Sequence, residues 1–181
     1  PWGGAISEGG AQAYIDAYRH VVTLFRQVGA INVAWVWSPD TAIFASHRFP
    51  FDYTLYYPGS DVVDWIAFDG YNFGQDADAS KPWIEFVDLY SEIYQRCFPL
   101  HPTAPFMIGE FSSGEKGGDK ARWITQAYKT IKEQMPRIKV AAWFDIDKES
   151  HWPVDSSAEA LKAFRAAVGD GYFKENWRKL H

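Results

Sequence analysis

Four short apolar runs, separated by stretches of helical period, restrict what this 181-residue chain can fold into. The runs are 31–37 (INVAWVW), 62–68 (VVDWIAF), 106–108 within PFMIGEFSS, and 140–144 (VAAWF). β-Branched and aromatic residues of this kind fit strands, and near-continuous apolar runs fit strands covered on both faces. Between them, 11–28 places Tyr14, Tyr18, Val21, Val22 and Phe25 at three- and four-residue spacing, which predicts a helix closed by Gly29. Further helices are predicted over 82–97, with Ser80 as N-cap and Pro82 near the first turn, over 119–134 with Asp119 as cap, and over 157–168 before Gly169. The stretch from Asp40 to Ser60 reads as a loop with at most a short helix near 51–57. Alternating strands and helices mean a parallel sheet with right-handed crossovers in one domain spanning 1–181. Four units fall short of a closed eight-stranded barrel, which typically takes about 250 residues.

Charge and composition narrow the partners. The net charge is −5 and no basic run exceeds two residues, so neither nucleic acid nor an anionic membrane is an expected partner. No apolar stretch reaches transmembrane length, and the opening Pro1-Trp2-Gly3-Gly4 is not a signal peptide. The single cysteine, Cys97, is expected to be a packed thiol, and the five scattered histidines offer no metal-ligand spacing. No metal or other cofactor is expected. No glycine-rich phosphate loop follows a strand, which removes the nucleotide-binding reading, and Ser112-Ser113 lacks the G-x-S-x-G elbow of serine hydrolases. Aromatics, by contrast, are abundant: 9 Trp, 10 Tyr and 13 Phe, 18% of the chain. Surplus Trp and Tyr suit ligands with apolar faces and polar edges, as sugar rings have.

The strand ends carry the candidate chemistry. The first run ends in Trp35, Trp37 and Ser38, the second in Asp69, Tyr71 and Asn72, the third in Glu110, and the fourth in Trp143, Asp145 and Asp147. Carboxyl ends of parallel strands are where α/β folds place their sites. Carboxylates set among Trp and Tyr point to glycoside chemistry, which uses two carboxyl groups. Glu110, strand-borne and rigid, suits the nucleophile. Asp69 is open to three roles: the second carboxyl, a ligand for a sugar hydroxyl, or a tie within the loop. Trp35 reads as core, whereas Trp37 and Trp143, nearer the strand ends, read as sugar platforms.

Four segments, 18–40 (YRHVVTLFRQVGAINVAWVWSPD), 56–72 (YYPGSDVVDWIAFDGYN), 105–113 (PFMIGEFSS) and 141–157 (AAWFDIDKESHWPVDSS), resemble in order and spacing consecutive motifs of glycoside hydrolase family 26. The resemblance implies a (β/α)8 barrel of which this chain holds strands five to eight, a partial barrel. It also implies retaining cleavage of internal β-1,4 bonds, foremost in β-mannan, with mixed-linkage β-glucan and β-xylan as alternatives. On that basis Glu110 is the nucleophile, Tyr71 the tyrosine that contacts it, Trp143 a residue facing bound sugar, and Trp2 part of an aromatic loop bordering the cleft.

The family's acid/base glutamate precedes the segment that Pro1-Trp2-Gly3-Gly4 resembles, so it is expected to be missing from this chain; Glu8 lies on the wrong side of that segment and does not take its role. Two further expectations follow. An open half-barrel should pair with another copy of itself or with a complementing amino-terminal half, and a β-linked polysaccharide or oligosaccharide should be its ligand. A non-catalytic carbohydrate-binding half-barrel is the competing reading. Family members are secreted or held at the cell surface.

Overall fold

The structure is a computed structural model that describes residues 9–41, 52–76 and 78–175. Four parallel strands form one sheet in the order of the sequence: β1 (Val36–Trp37), β2 (Trp65–Asn72), β3 (Phe106–Ser113) and β4 (Ile138–Trp143). The helices are α1 (Gly10–Gln27), α2 (Phe86–Cys97), α3 (Lys120–Glu133), α4 (Ala158–Val168) and α5 (Gly171–Glu175), with a 3-10 helix at Tyr53–Tyr56. Parallel strands in sequential order with intervening helices make a partial (β/α)8 barrel, as expected.

Local chemistry explains where the elements stop and start. At the end of α1, Gly29 takes φ 74°, its N–H reaches the Arg26 carbonyl at 3.1 Å, and Ala30 N–H reaches that of Phe25 at 3.0 Å. This is a Schellman ending, which uses the left-handed freedom of glycine. Asp119 and Ser157 cap α3 and α4 by accepting from Arg122 and Ala160 N–H. The start of α2 differs from expectation. Ser80 does not cap it; its hydroxyl and N–H bond Asp78, and the helix begins at Phe86 after Ile84 N–H has bonded the Asn72 side chain at 2.9 Å. The first two strands are also displaced. Strand β1 is only two residues long because its partner begins at Trp65; 31–34 stay outside the sheet, Trp35 meets the start of β2 through its carbonyl, which accepts from Asp64 and Trp65 N–H at 2.8 and 3.0 Å, and β2 runs on through Asp69-Gly70-Tyr71-Asn72.

Most of the core lies between the sheet and α2–α3. Phe68, Phe106, Ile108 and Phe111 are fully buried, and Phe111 sits among Phe86, Trp123, Tyr128 and Trp143 with ring centroids 5.0–6.2 Å away. Cys97 is buried in the same core, and burial pushes its thiol up to about 12, as a packed cysteine requires. At the amino-terminal end of the strands, the Arg137 guanidinium stacks on Phe106 at 4.1 Å and donates to the carbonyls of Phe98, His101 and Ala104. The opposite face of the sheet is open at its flank, where Val140 is exposed.

One irregularity governs the site. Between β2 and β3 the register runs Phe68 with Ile108 and then Asp69 with Glu110, so Gly109 is an extra residue in β3. Such a bulge reverses the facing of everything after it. Without it, Glu110 would share the helix-facing side of Ile108; with it, Phe111 takes that side and Glu110 turns to the open face. Glycine leaves room there for Asp69: a Cβ at 109 would lie 2.7 Å from its Oδ1, so a larger residue would have to displace that carboxylate. Phe111→Ala should destabilise the chain by about 3–5 kcal/mol, the usual cost of emptying a buried phenylalanine site, measured by denaturant unfolding.

Candidate active site

Glu110 projects from the bulge into an open cavity of about 320 Å³ lined by Tyr71, Phe73, Phe144, Lys148, Glu149 and Trp152. The Tyr71 hydroxyl donates a short hydrogen bond to Glu110 Oε2. Both residues stand on the same face of adjacent strands, since Asp69 pairs with Glu110 and Tyr71 lies two residues along. Burial first, then the hydrogen bond to Glu110, pushes the Tyr71 phenol well above its ordinary range, so it stays a neutral donor. Three rings fix its plane: Phe144 edge-on at 5.5 Å, Trp152 at 5.2 Å and Phe73 at 5.9 Å.

Asp69 lies behind this pair rather than opposite it. Its carboxylate accepts from the Ser38 hydroxyl at 3.2 Å and fills the space that a side chain at 109 would need. Among the three roles open to it, these contacts favour the tie within the strands. Burial raises its pKa, the Ser38 bond opposes this, and the Glu110 charge raises it further. Asp40, which opens the stretch read from the sequence as a loop, forms an isolated parallel bridge with Asp69. Burial pushes its carboxyl up to about 6 against the Thr41 amide, with the charges of Asp69 and Glu110 adding to the rise. On the far rim, Lys148 and Glu149 form an ion pair at 2.8 Å.

Two expected sugar platforms lie elsewhere. Trp37 is 2% exposed and packs edge-on against Tyr57 at 5.2 Å, so it belongs to the core. Trp143 pairs in register with Phe111 and shares its helix-facing side, where it meets Phe111, Trp123 and Phe164. Alternation then gives the inward position to Phe144, next along the chain. Trp35 is half-buried against Tyr18 and Phe25, in keeping with the packing expected of it. Trp2 lies outside the described residues. Phe73, Phe144, Lys148, Glu149 and Trp152 were not singled out as site residues. The signal for Phe144 was its place one step from Trp143; the other four come from loops, where periodicity carries no information. No group of three or more potential metal ligands occurs among the described residues, and no described helix is long and apolar enough to cross a membrane.

The titration of Asp69 yields a test. A carboxyl raised in the folded state contributes stability below its unfolded value, near 4, and loses that contribution as pH rises through the folded value. Asp69→Asn should therefore gain melting temperature relative to the parent between about pH 3 and pH 7. A difference that stays flat across that range would contradict the assigned burial of this carboxylate.

No family model matches the chain. It is 39% identical over 160 residues to Endoglucanase H of Acetivibrio thermocellus, a match covering 88% of this chain and 17% of that protein. It is 35% identical over 140 residues to mannan endo-1,4-beta-mannosidase A and B of Caldalkalibacillus mannanilyticus, covering 75% and 22%. The chain thus spans less than a quarter of the length of either relative. In fold it is similar to the modular endo-beta-1,4-mannanase of Cellulomonas fimi, a family 26 mannanase, with TM-score 0.61 and 24% identity over 94% of this chain and 38% of that one. The family 26 catalytic domain of a Bacillus sp. JAMB-750 endo-beta-1,4-mannanase gives TM-score 0.60 and 22% identity over 92% and 46%. Sequence and fold agree: the chain is a partial domain similar to the barrels of glycoside hydrolase family 26.

Proposed function

We propose that the chain carries the nucleophile side of a retaining endo-β-1,4-glycanase site, with β-mannan as its substrate. The observation that supports this most directly is the Tyr71–Glu110 hydrogen bond, held on a strand bulge inside an aromatic-walled cleft. In this reading Glu110 attacks the anomeric carbon and forms a glycosyl-enzyme, which water then opens. Tyr71 keeps the attacking carboxylate in one orientation. The rings of Phe73 and Phe144 border the space where the sugar enters, and the Lys148–Glu149 pair offers charged partners to its hydroxyl groups.

The departing oxygen needs a proton from a second carboxyl roughly 5–5.5 Å from the first. Asp69 does not take that part here, because it sits beside Glu110 on the neighbouring strand and is tied to the Ser38 hydroxyl. The donor belongs to another part of the barrel, which the resemblance places ahead of the segment at Pro1. A polymeric substrate puts the site outside the cell or at its surface.

The relative named Endoglucanase H supports a second reading, in which the substrate is a β-glucan. An activated 2-deoxy-2-fluoro-β-mannoside separates the cases, because a good leaving group needs no acid and the fluorine slows release of the intermediate. Intact-mass measurement should show one fluoromannosyl adduct, peptide mapping should place it within 105–113, and Glu110→Ala should abolish it. Labelling only by the fluoroglucoside would select the β-glucan reading. An adduct on a different residue would remove Glu110 as nucleophile. Absence of any adduct, together with retained binding of mannohexaose, would favour the non-catalytic binding module.

A further inference from the structure

We propose that Lys120 and Asp76 are positioning residues of the Glu110 site, fixing segment 150–156 from opposite sides so that Trp152 braces Tyr71. The inference rests on reading Glu110 and Tyr71 as the sugar-reacting pair, and neither Lys120 nor Asp76 lines the cavity itself.

Lys120 opens α3, yet it is only 2% exposed. Its ammonium donates to the carbonyls of His151 at 2.7 Å and Pro153 at 2.8 Å and to Ser156 Oγ at 2.8 Å, with the Trp152 carbonyl at 3.4 Å. Three ammonium protons therefore meet three close acceptors, all from one loop. Burial draws the lysine down to about 8, and the surrounding negative groups, Glu115, Asp76, Asp145 and Asp155, oppose that fall, so it carries its charge at neutral pH. The Trp152 carbonyl is held further by the Ser112 hydroxyl and the Trp143 indole N–H, each at 2.9 Å.

Asp76 grips the start of the same segment. Its Oδ2 accepts from Ser150 Oγ at 2.8 Å and His151 N–H at 3.4 Å, and also from Glu115 N–H at 2.8 Å. Oδ1 accepts from Lys116 N–H at 3.2 Å. One carboxylate thereby joins the loops that follow β2, β3 and β4. Burial alone would raise it, but these donors outweigh that effect and hold it below the ordinary carboxylate range. The fit is close: a Cβ on Gly114 would lie 2.6 Å from Asp76 Oδ2. Between the two clamps, Trp152 is 1% exposed, and its ring meets Phe73 at 4.9 Å and Tyr71 at 5.2 Å.

Several bonds from one buried ammonium hold the loop in one geometry, and removing the cation alone would leave the His151 and Pro153 carbonyls without that donor. At the site, that geometry serves Trp152, since its displacement would free the ring of Tyr71 and with it the orientation of Glu110.

The test uses the indole N–H signal of Trp152 in a ¹⁵N–¹H spectrum of the chain, assigned with Trp152→Phe, and mannohexaose binding by calorimetry. In Lys120→Met and in Asp76→Asn the signal should shift or broaden, and the dissociation constant should rise about tenfold, the order expected when supporting geometry loosens. If melting temperatures fall while signal and affinity stay as in the parent, both residues are merely structural and the proposal is overturned. Asp76→Asn decides the matter if Lys120→Met does not fold. If the parent binds no mannohexaose, the sugar reading fails, and an unmoved indole signal would then overturn the positioning claim separately.

Discussion

The site depends on a single extra residue. By inserting Gly109 into β3, the chain lets Ile108 and Phe111 both point to the helices while Glu110 points to the open face. A regular strand could not do this, because with Ile108 toward the helices its alternation would both bury the carboxylate and turn Phe111 to the open face. Asp69 is part of the same device. It pairs in register with Glu110 and occupies the space that a Cβ at 109 would take, so strand geometry and carboxylate placement are coupled. The raised pKa of Asp69 reflects the cost of using a charged group this way: it is half-buried, beside another carboxylate, with Ser38 as partial compensation.

Much of the architecture was legible because it rests on local rules. The ending of α1 at Gly29, the Asp119 cap and the four βα repeats all follow from side-chain chemistry within a few residues. Failures occurred where a distant partner decided. Residues 31–34 have strand composition but stay outside the sheet, since β2 begins only at Trp65. The start of α2 was set by Asn72, whose side chain meets Ile84 N–H across the loop. Glu110 and Tyr71 were identifiable as candidates because both sit near strand ends; the bulge that brings them onto one face was not, for a glycine after three apolar residues looks the same whether or not it is paired.

The aromatic residues show the same division. Composition pointed to more rings than a core of this size calls for, but not to which ring faces the cleft. Trp37 and Trp143 went to the packed side, Phe144 and Phe73 to the open one. For a strand residue, facing is fixed by parity counted from a buried neighbour, and here the count from Ala141, level with Ile108, puts Trp143 on the helix side. A tryptophan near a strand end is thus evidence about a ligand only after parity is known.

Strands set the carboxylate, but loops set the wall in front of it, and loops must be held by something other than a ladder of backbone bonds. In this chain the holding groups are charged. Lys120 saturates the carbonyls of one loop from the helix side, and Asp76 gathers amides from two loops and a hydroxyl from one of them. A cation is suited to carbonyl oxygens and an anion to amide hydrogens, so opposite ends of segment 150–156 call for opposite charges. Trp152 lies between them with its carbonyl bonded to Ser112 of β3 and to the indole of Trp143 on β4. The loop is thereby referenced to the same two strands that carry Glu110 and the inward Phe144. Wall and carboxylate consequently share one frame, and a change that shifts β3 against β4 should move both together instead of opening a gap between them.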